Sequence, residues 1–250
     1  MDLFSAIFLG ALQGITEWLP VSSSAHLALA QHYLGISAPV SFDIMLHLGT
    51  LIAVSVYFRK EIAEIMERRD ARYLALIAVA LIPTAIIGFA FKDSFEAMFS
   101  RMPMIAAALL ITGAFLFIAE KLSREGRKLG FVPAFVIGVA QGIAVAPGIS
   151  RSGATIGTGM LLGIKREEAA KFSFLLAIPA VLGASALEGV KAFSFAGIGT
   201  AEIIAGTAAA AIVGYFSIGL MLDFLRKGRL YVFSAYCVLL AFAILLFGAA

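Results

Sequence analysis

Six apolar stretches, at about 43–58, 73–91, 103–119, 172–188, 201–222 and 230–249, dominate this chain of 250 residues. A helix needs roughly 20 apolar residues to cross a hydrocarbon core about 30 Å thick, so each stretch is near crossing length. The pattern predicts an all-α polytopic membrane protein with six transmembrane helices. Composition agrees: 61% of residues are hydrophobic, 14% are charged, and the mean hydropathy is +0.99. A soluble domain of this size cannot hide that much apolar surface. A soluble enzyme, a nucleic-acid-binding module and a disordered chain are therefore excluded. The net charge of +3 and pI near 9.1 fit basic cytoplasmic loops rather than an anionic macromolecular partner. Cys237 is the single cysteine, so an intrachain disulfide is impossible. The start, Met1-Asp2-Leu3-Phe4, lacks a basic segment and is not read as a signal peptide.

Two further apolar regions fit a crossing badly. Residues 3–35 contain Glu17, Pro20, Ser22, Ser23, Ser24 and His26, and residues 131–163 contain Pro147, Gly148, Ser150, Arg151 and Ser152. Each reads as two short helices broken in the middle. Irregular backbone at membrane depth is tolerated only where protein buries it or where it lines a cavity. Both regions are expected to be re-entrant helical hairpins, although two short full crossings satisfy the same loop parity. Fifteen of the 19 Lys and Arg residues fall in four loops, around Arg59–Arg72, Lys121–Lys128, Lys165–Lys171 and Arg226–Arg229. The opposite loops carry only Lys92, Arg101 and Lys191. The bias places the first set in the cytoplasm and both termini outside. The first hairpin then opens outward and the second inward. The segment from Arg59 to Arg72 reads either as a short amphipathic helix on the inner surface or as a solvated charged loop.

The broken regions resemble each other. Gln13, Gly14 and Ile15 match Gln141, Gly142 and Ile143 at an offset of 128, as do Ser22 and Ser24 with Ser150 and Ser152. Pro20 and Pro147 match with a slip of one residue, and Phe42 and Phe172 follow at similar places. Three crossings separate the hairpins, and an odd number inverts the second copy. The chain is therefore expected to be a single integral membrane domain, 1–250, built as an inverted-topology repeat of about 1–120 and 129–250. Sites in such folds lie at the repeat interface.

Polar residues collect at the breaks. Gln13 and Glu17, four apart, share a helical face. Ser22 or Ser23 is placed to cap the helix after Pro20, with His26 in its first turn. Ser150, Arg151 and Ser152 open the helix after Pro147-Gly148, and Thr155 lies one turn on. Helix N-termini attract anions, and Arg151 adds a fork suited to phosphate. Charged groups at membrane depth cost roughly 3 kcal/mol each on insertion scales, which marks them as functional candidates. A Glu17–Arg151 pair that merely holds the repeats together leaves His26 and the hydroxyls unexplained. His47, four residues after Asp43 on a full crossing, is expected to be a partnered structural histidine. Trp18 either walls the site or only packs.

These groups suit phosphoryl transfer from an anionic lipid. Arg151, the helix ends and Ser22, Ser24, Ser150, Ser152 and Thr155 are candidates to hold phosphate and its transition-state charge. A serine beside a histidine can act as nucleophile. Glu17 suits a general base or, with Gln13 nearby, a ligand of a divalent cation.

Two signatures carry a resemblance. One is Gln13-Gly-Ile-Thr-Glu17-Trp-Leu-Pro20-Val-Ser-Ser-Ser-Ala-His26, and the other is Pro147-Gly-Ile-Ser150-Arg151-Ser152-Gly-Ala-Thr155. The chain resembles the undecaprenyl-diphosphate phosphatase family, membrane enzymes linked to bacitracin resistance, over its whole length. The resemblance implies hydrolysis of a polyprenyl diphosphate lipid to the monophosphate and inorganic phosphate, which recycles the carrier for cell-wall glycan synthesis. It implies a divalent cation (Mg2+ or Ca2+), the cell membrane, and a site opening to the outer face. The family's acidic motif falls on Gln13 and Glu17, where Gln13 removes a second carboxylate. Its histidine falls on His26, its serine on Ser23 and its arginine on Arg151, which are thus the catalytic candidates with Glu17. Whether Ser23 or His26 attacks phosphorus stays open. A transporter or flippase of the carrier phosphate is the competing reading, because inverted repeats with broken helices also build transporters. Association into a homo-oligomer is compatible with the sequence.

Overall fold

The computed structural model describes residues 1–192 and 198–247. Among them the chain forms twelve helices and no strand. They are α1 (Leu3–Trp18), α2 (Ser23–Leu34), α3 (Val40–Tyr57), α4 (Arg59–Glu67), α5 (Ala71–Ala90), α6 (Lys92–Phe99), α7 (Met102–Leu122), α8 (Phe131–Ile143), α9 (Arg151–Leu161), α10 (Arg166–Ala192), α11 (Thr200–Arg226) and α12 (Leu230–Phe247). Six of these, α3, α5, α7, α10, α11 and α12, are long and apolar enough to cross a membrane. They coincide with the six expected stretches. The end of the last stretch, 248–249, and positions 193–197 of the loop after α10 lie outside the described residues.

Both irregular regions are broken where proline, glycine and serine interrupt them. Residues 3–35 become α1 and α2, and residues 131–163 become α8 and α9. Helix starts follow local chemistry. The side chains of Asp2, Asp70 and Ser150 accept the free N–H groups of Ser5, Tyr73 and Gly153. The charged segment after α3 is helical as α4, with Ile62 and Ile65 packed against the core and no fully buried residue. One helix goes beyond the expectations. The short α6 forms between two crossings, supported by Lys92 and Glu96 one turn apart at 3.3 Å and by Phe95 against Phe91.

The helices pair so that the breaks end up inside. The broken segments lie against crossings distant in sequence: α1 against α11 and α8 against α5. Meanwhile α7 packs on α12, and α3 on α11 and α10. Small residues permit the closest approaches. A methyl on Gly10 would overlap the carbonyl of Gly206, and one on Gly138 would overlap the carbonyl of Ala80. Phe42 and Phe172, the matched phenylalanines, are both fully buried. Outward-facing positions carry large apolar side chains, among them Phe4, Phe216, Leu239 and Leu246. Such a surface is foreign to a soluble monomer and suits lipid.

Candidate active site

The site begins where α1 stops. Pro20 forces the residue before it into an extended conformation, and Leu19 has φ −75° and ψ 145°. The chain then turns through Ser22, a non-glycine residue with φ 69°. That backbone region is costly for a side chain and persists where surroundings enforce it. The enforcing contacts are visible. The hydroxyl of Ser22 accepts the N–H of Gly148 at 3.1 Å and lies 3.2 Å from the hydroxyl of Ser24. Ser22 occupies the cap position of α2, yet its side chain makes no cap bond to its own helix. It reaches instead into the other break.

The second break is built in a complementary way. Gly148 takes φ +93°, and a Cβ there would strike the carbonyl of Ile105 and the side chain of Ala108. Thr112 on α7 holds this turn, donating to the carbonyl of Gly148 at 3.0 Å and accepting the N–H of Ser150 at 3.2 Å. The hydroxyl of Ser150 caps α9 by accepting the Gly153 N–H at 3.1 Å, and lies 3.2 Å from the hydroxyl of Ser152. Ser152 returns the stitch, donating to the carbonyl of Leu19 at 3.1 Å. The two breaks are thus joined by a reciprocal pair of hydrogen bonds.

This junction gathers the charged residues. Glu17 is 5% exposed. One of its oxygens, Oε1, pairs with the guanidinium of Arg151. The other, Oε2, accepts from Gln13 Nε2 at 2.8 Å and from the Ser23 hydroxyl at 2.6 Å. His47 Nε2 stands 3.8 Å from the same oxygen. Gln13 Oε1 is buried with no hydrogen-bond partner. The Arg151 guanidinium lies 6.0 Å from the centre of the Trp18 ring, a cation–π approach that walls one side. Arg151 therefore meets a carboxylate and an aromatic face, two surfaces that favour a planar delocalised cation.

The expected residues divide into four groups. Glu17, Ser23 and Arg151 meet in one cluster with Gln13. His26 is connected differently: its Nδ1 lies 2.8 Å from the Ser22 carbonyl and its Nε2 lies 2.7 Å from the Tyr236 hydroxyl. Ser22, Ser24, Ser150 and Ser152 line the junction between the breaks. The Thr155 hydroxyl is taken up by the carbonyls of Arg151 and Ser152 and, at 2.5 Å, by the hydroxyl of Ser173.

Three residues enter the site unannounced. His47 has the expected partner element, since its Nδ1 lies 2.8 Å from the carbonyl of Asp43, but its other nitrogen faces Glu17. The rule that marks ionisable residues inside crossings applies to it as it does to Glu17. Thr112 and Tyr236 carry no such signal. A threonine or tyrosine in an apolar helix is ordinary, and only the folded arrangement brings them to the breaks.

The meeting of the two helix breaks thus holds a carboxylate on a serine hydroxyl, an arginine and an imidazole. Such a set can activate an oxygen nucleophile and neutralise a phosphoryl group. Comparison with other proteins points the same way. The family model for bacitracin resistance protein BacA matches residues 6–243. An undecaprenyl-diphosphatase of Carboxydothermus hydrogenoformans is 45% identical over 260 residues, covering 100% of this chain and 99% of that protein. Those of Halothermothrix orenii and Syntrophotalea carbinolica are 43% and 45% identical, each covering at least 96% of both chains. With matches this extensive, and both signatures within the matched span, the chain belongs to the bacitracin resistance protein BacA family.

Proposed function

We propose that this multi-pass membrane protein is a phosphatase that hydrolyses undecaprenyl diphosphate to the monophosphate and inorganic phosphate. In that role it recycles the lipid carrier of cell-wall glycan synthesis. The observation that carries the reading is the Ser23 hydroxyl, 2.6 Å from the buried carboxylate of Glu17, with Arg151 on the opposite carboxylate oxygen.

The reaction follows from those contacts. Glu17 Oε2 accepts the Ser23 proton as Oγ attacks the terminal phosphorus. An Oγ–P bond forms, and the bond from phosphorus to the bridging oxygen breaks. The electron pair leaves on the lipid monophosphate. Water then cleaves the phosphoserine to serine and inorganic phosphate. Arg151 stabilises the charge on the phosphoryl oxygens. Ser23 is the nucleophile in this scheme because it, and not His26, touches the carboxylate.

A divalent cation, Mg2+ or Ca2+, fits beside Glu17. Among the described residues no group of three His, Cys, Asp or Glu side chains is placed to hold an ion. The unpartnered Gln13 Oε1 and the carboxylate of Glu17 offer two oxygen donors. Mg2+ in particular is commonly held by one or two protein oxygens together with substrate phosphate. When bound, it would neutralise phosphate charge alongside Arg151.

The finer architecture belongs to the same proposal. Re-entrant hairpins α1–α2 and α8–α9 and an inverted repeat are supported by reciprocal packing. In each half the first broken helix leans on a crossing of the other half, through Gly10 and Gly138 at equivalent positions. The site opens to the outer face of the cell membrane, supported by the charge bias of the loops.

Purified protein in detergent with Mg2+ is expected to release inorganic phosphate from a long-chain isoprenyl diphosphate. Phosphate release is measured colorimetrically, with a chelator as the cation control. An inactive wild type that instead moves lipid phosphate across vesicles would sink the phosphatase reading.

A further inference from the structure

The imidazole of His26 is gripped at both nitrogens. Nδ1 faces the Ser22 carbonyl at 2.8 Å. A carbonyl only accepts, so Nδ1 carries a proton and, in the neutral ring, Nε2 holds the lone pair. The Tyr236 hydroxyl lies 2.7 Å from Nε2 and donates to it. The two rings run nearly parallel, 8° apart, with centroids 5.6 Å from each other.

Tyr236 is itself held in place. It sits on α12, 210 residues from His26. Two residues before it, the Ser234 hydroxyl donates to the carbonyl of Gly113 on α7 at 2.6 Å. One residue after it, Cys237 contacts the carbonyl of Pro20, in the first break, at 3.6 Å. The segment carrying the phenol is thus pinned both to the neighbouring crossing and to the turn that leads to His26. Tyr236 as a residue is 44% exposed, while its hydroxyl meets the imidazole.

We propose that Tyr236 is a positioning residue of the phosphatase reaction. Ser22 decides which nitrogen of His26 carries the proton, and Tyr236 decides where the other nitrogen points. The imidazole in turn donates to the carbonyl of Ser22, the residue at φ 69° immediately before Ser23, so the phenol acts on the nucleophile through His26. The proposal rests on the assignment of His26 to the site described above. The competing possibility is a packing contact between α2 and α12 with no bearing on the reaction.

Tyr236→Phe keeps the ring and removes only the hydroxyl. In the same detergent assay, on a long-chain isoprenyl diphosphate with Mg2+, kcat is expected to fall about tenfold, the worth of one hydrogen bond that holds the imidazole and the turn before Ser23. KM is expected to move less than about twofold, since the hydroxyl meets the imidazole and not the lipid. In a His26→Ala background the same substitution is expected to cause no further loss, because its effect passes through the imidazole. A Tyr236→Phe protein with wild-type kcat, or two substitutions whose losses multiply, overturns the proposal while leaving the phosphatase reading intact. A wild type that releases no phosphate overturns that reading, and the positioning role falls with it. Thermal midpoints of all three variants separate these results from a folding defect.

Discussion

Glu17 is saturated: a guanidinium on one oxygen, an amide and a serine hydroxyl on the other, and an imidazole 3.8 Å away. A carboxylate so thoroughly partnered is stable in a water-poor interior, where an unpaired charge is expensive. It also means that each partner controls its availability as a base. In the proposed reaction Arg151 has a second task, so a conservative change there is the informative one. Arg151→Lys keeps the positive charge on Glu17 but loses the planar fork. It is expected to lower kcat/KM about a hundredfold, with a much smaller change in thermal midpoint. Steady-state phosphate release and a melting curve on one preparation check both halves of that expectation. An activity close to wild type would mean that Arg151 serves chiefly to pair with Glu17.

At the level of elements, the breaks are stabilised by single side chains from neighbouring crossings. Thr112 bridges the carbonyl and N–H of the second turn. Thr112→Val preserves the shape while leaving both backbone groups unpaired. Each buried unsatisfied group costs about 1–3 kcal/mol, so a clear drop in thermal midpoint is expected, together with lost activity as α9 shifts under Arg151. Unchanged stability would show that another group rescues the turn. Much at this scale was legible in the sequence. Proline marks both breaks, glycine the second, and serine the start of α9, because these residues act locally. Gln13 and Glu17 read as neighbours since four residues make one helical turn. The cap of α2 did not read correctly, because Ser22 is diverted to a backbone N–H 126 residues away. Likewise Thr112 and Tyr236 join the site through tertiary packing that no local pattern encodes, whereas His47 carries the mark of an ionisable residue inside a crossing. The helix α6 was hidden for a different reason: eight residues with two acids and a lysine look like an ordinary polar connection.

For the whole molecule, the loop charges imply an orientation that can be measured. Cys237 is fully buried, so a thiol introduced on the loop after α7 would be the one readily reached. Glu125→Cys is expected to resist a membrane-impermeant maleimide in intact cells and to react once the cells are opened. Labelling in intact cells would reverse the orientation and with it the outward-facing site.

The reciprocal stitch between the two breaks also bears on how the protein is made. Glu17 emerges from the ribosome 134 residues ahead of Arg151. At about 5–20 residues per second, that separation leaves an acidic group without its guanidinium for roughly ten seconds. During that interval Ser22 and the Leu19 carbonyl also lack their partners, Gly148 and Ser152. The first half of the chain is then a nascent intermediate with an unsatisfied polar turn at membrane depth. The arrival of residues 148–152 completes that turn.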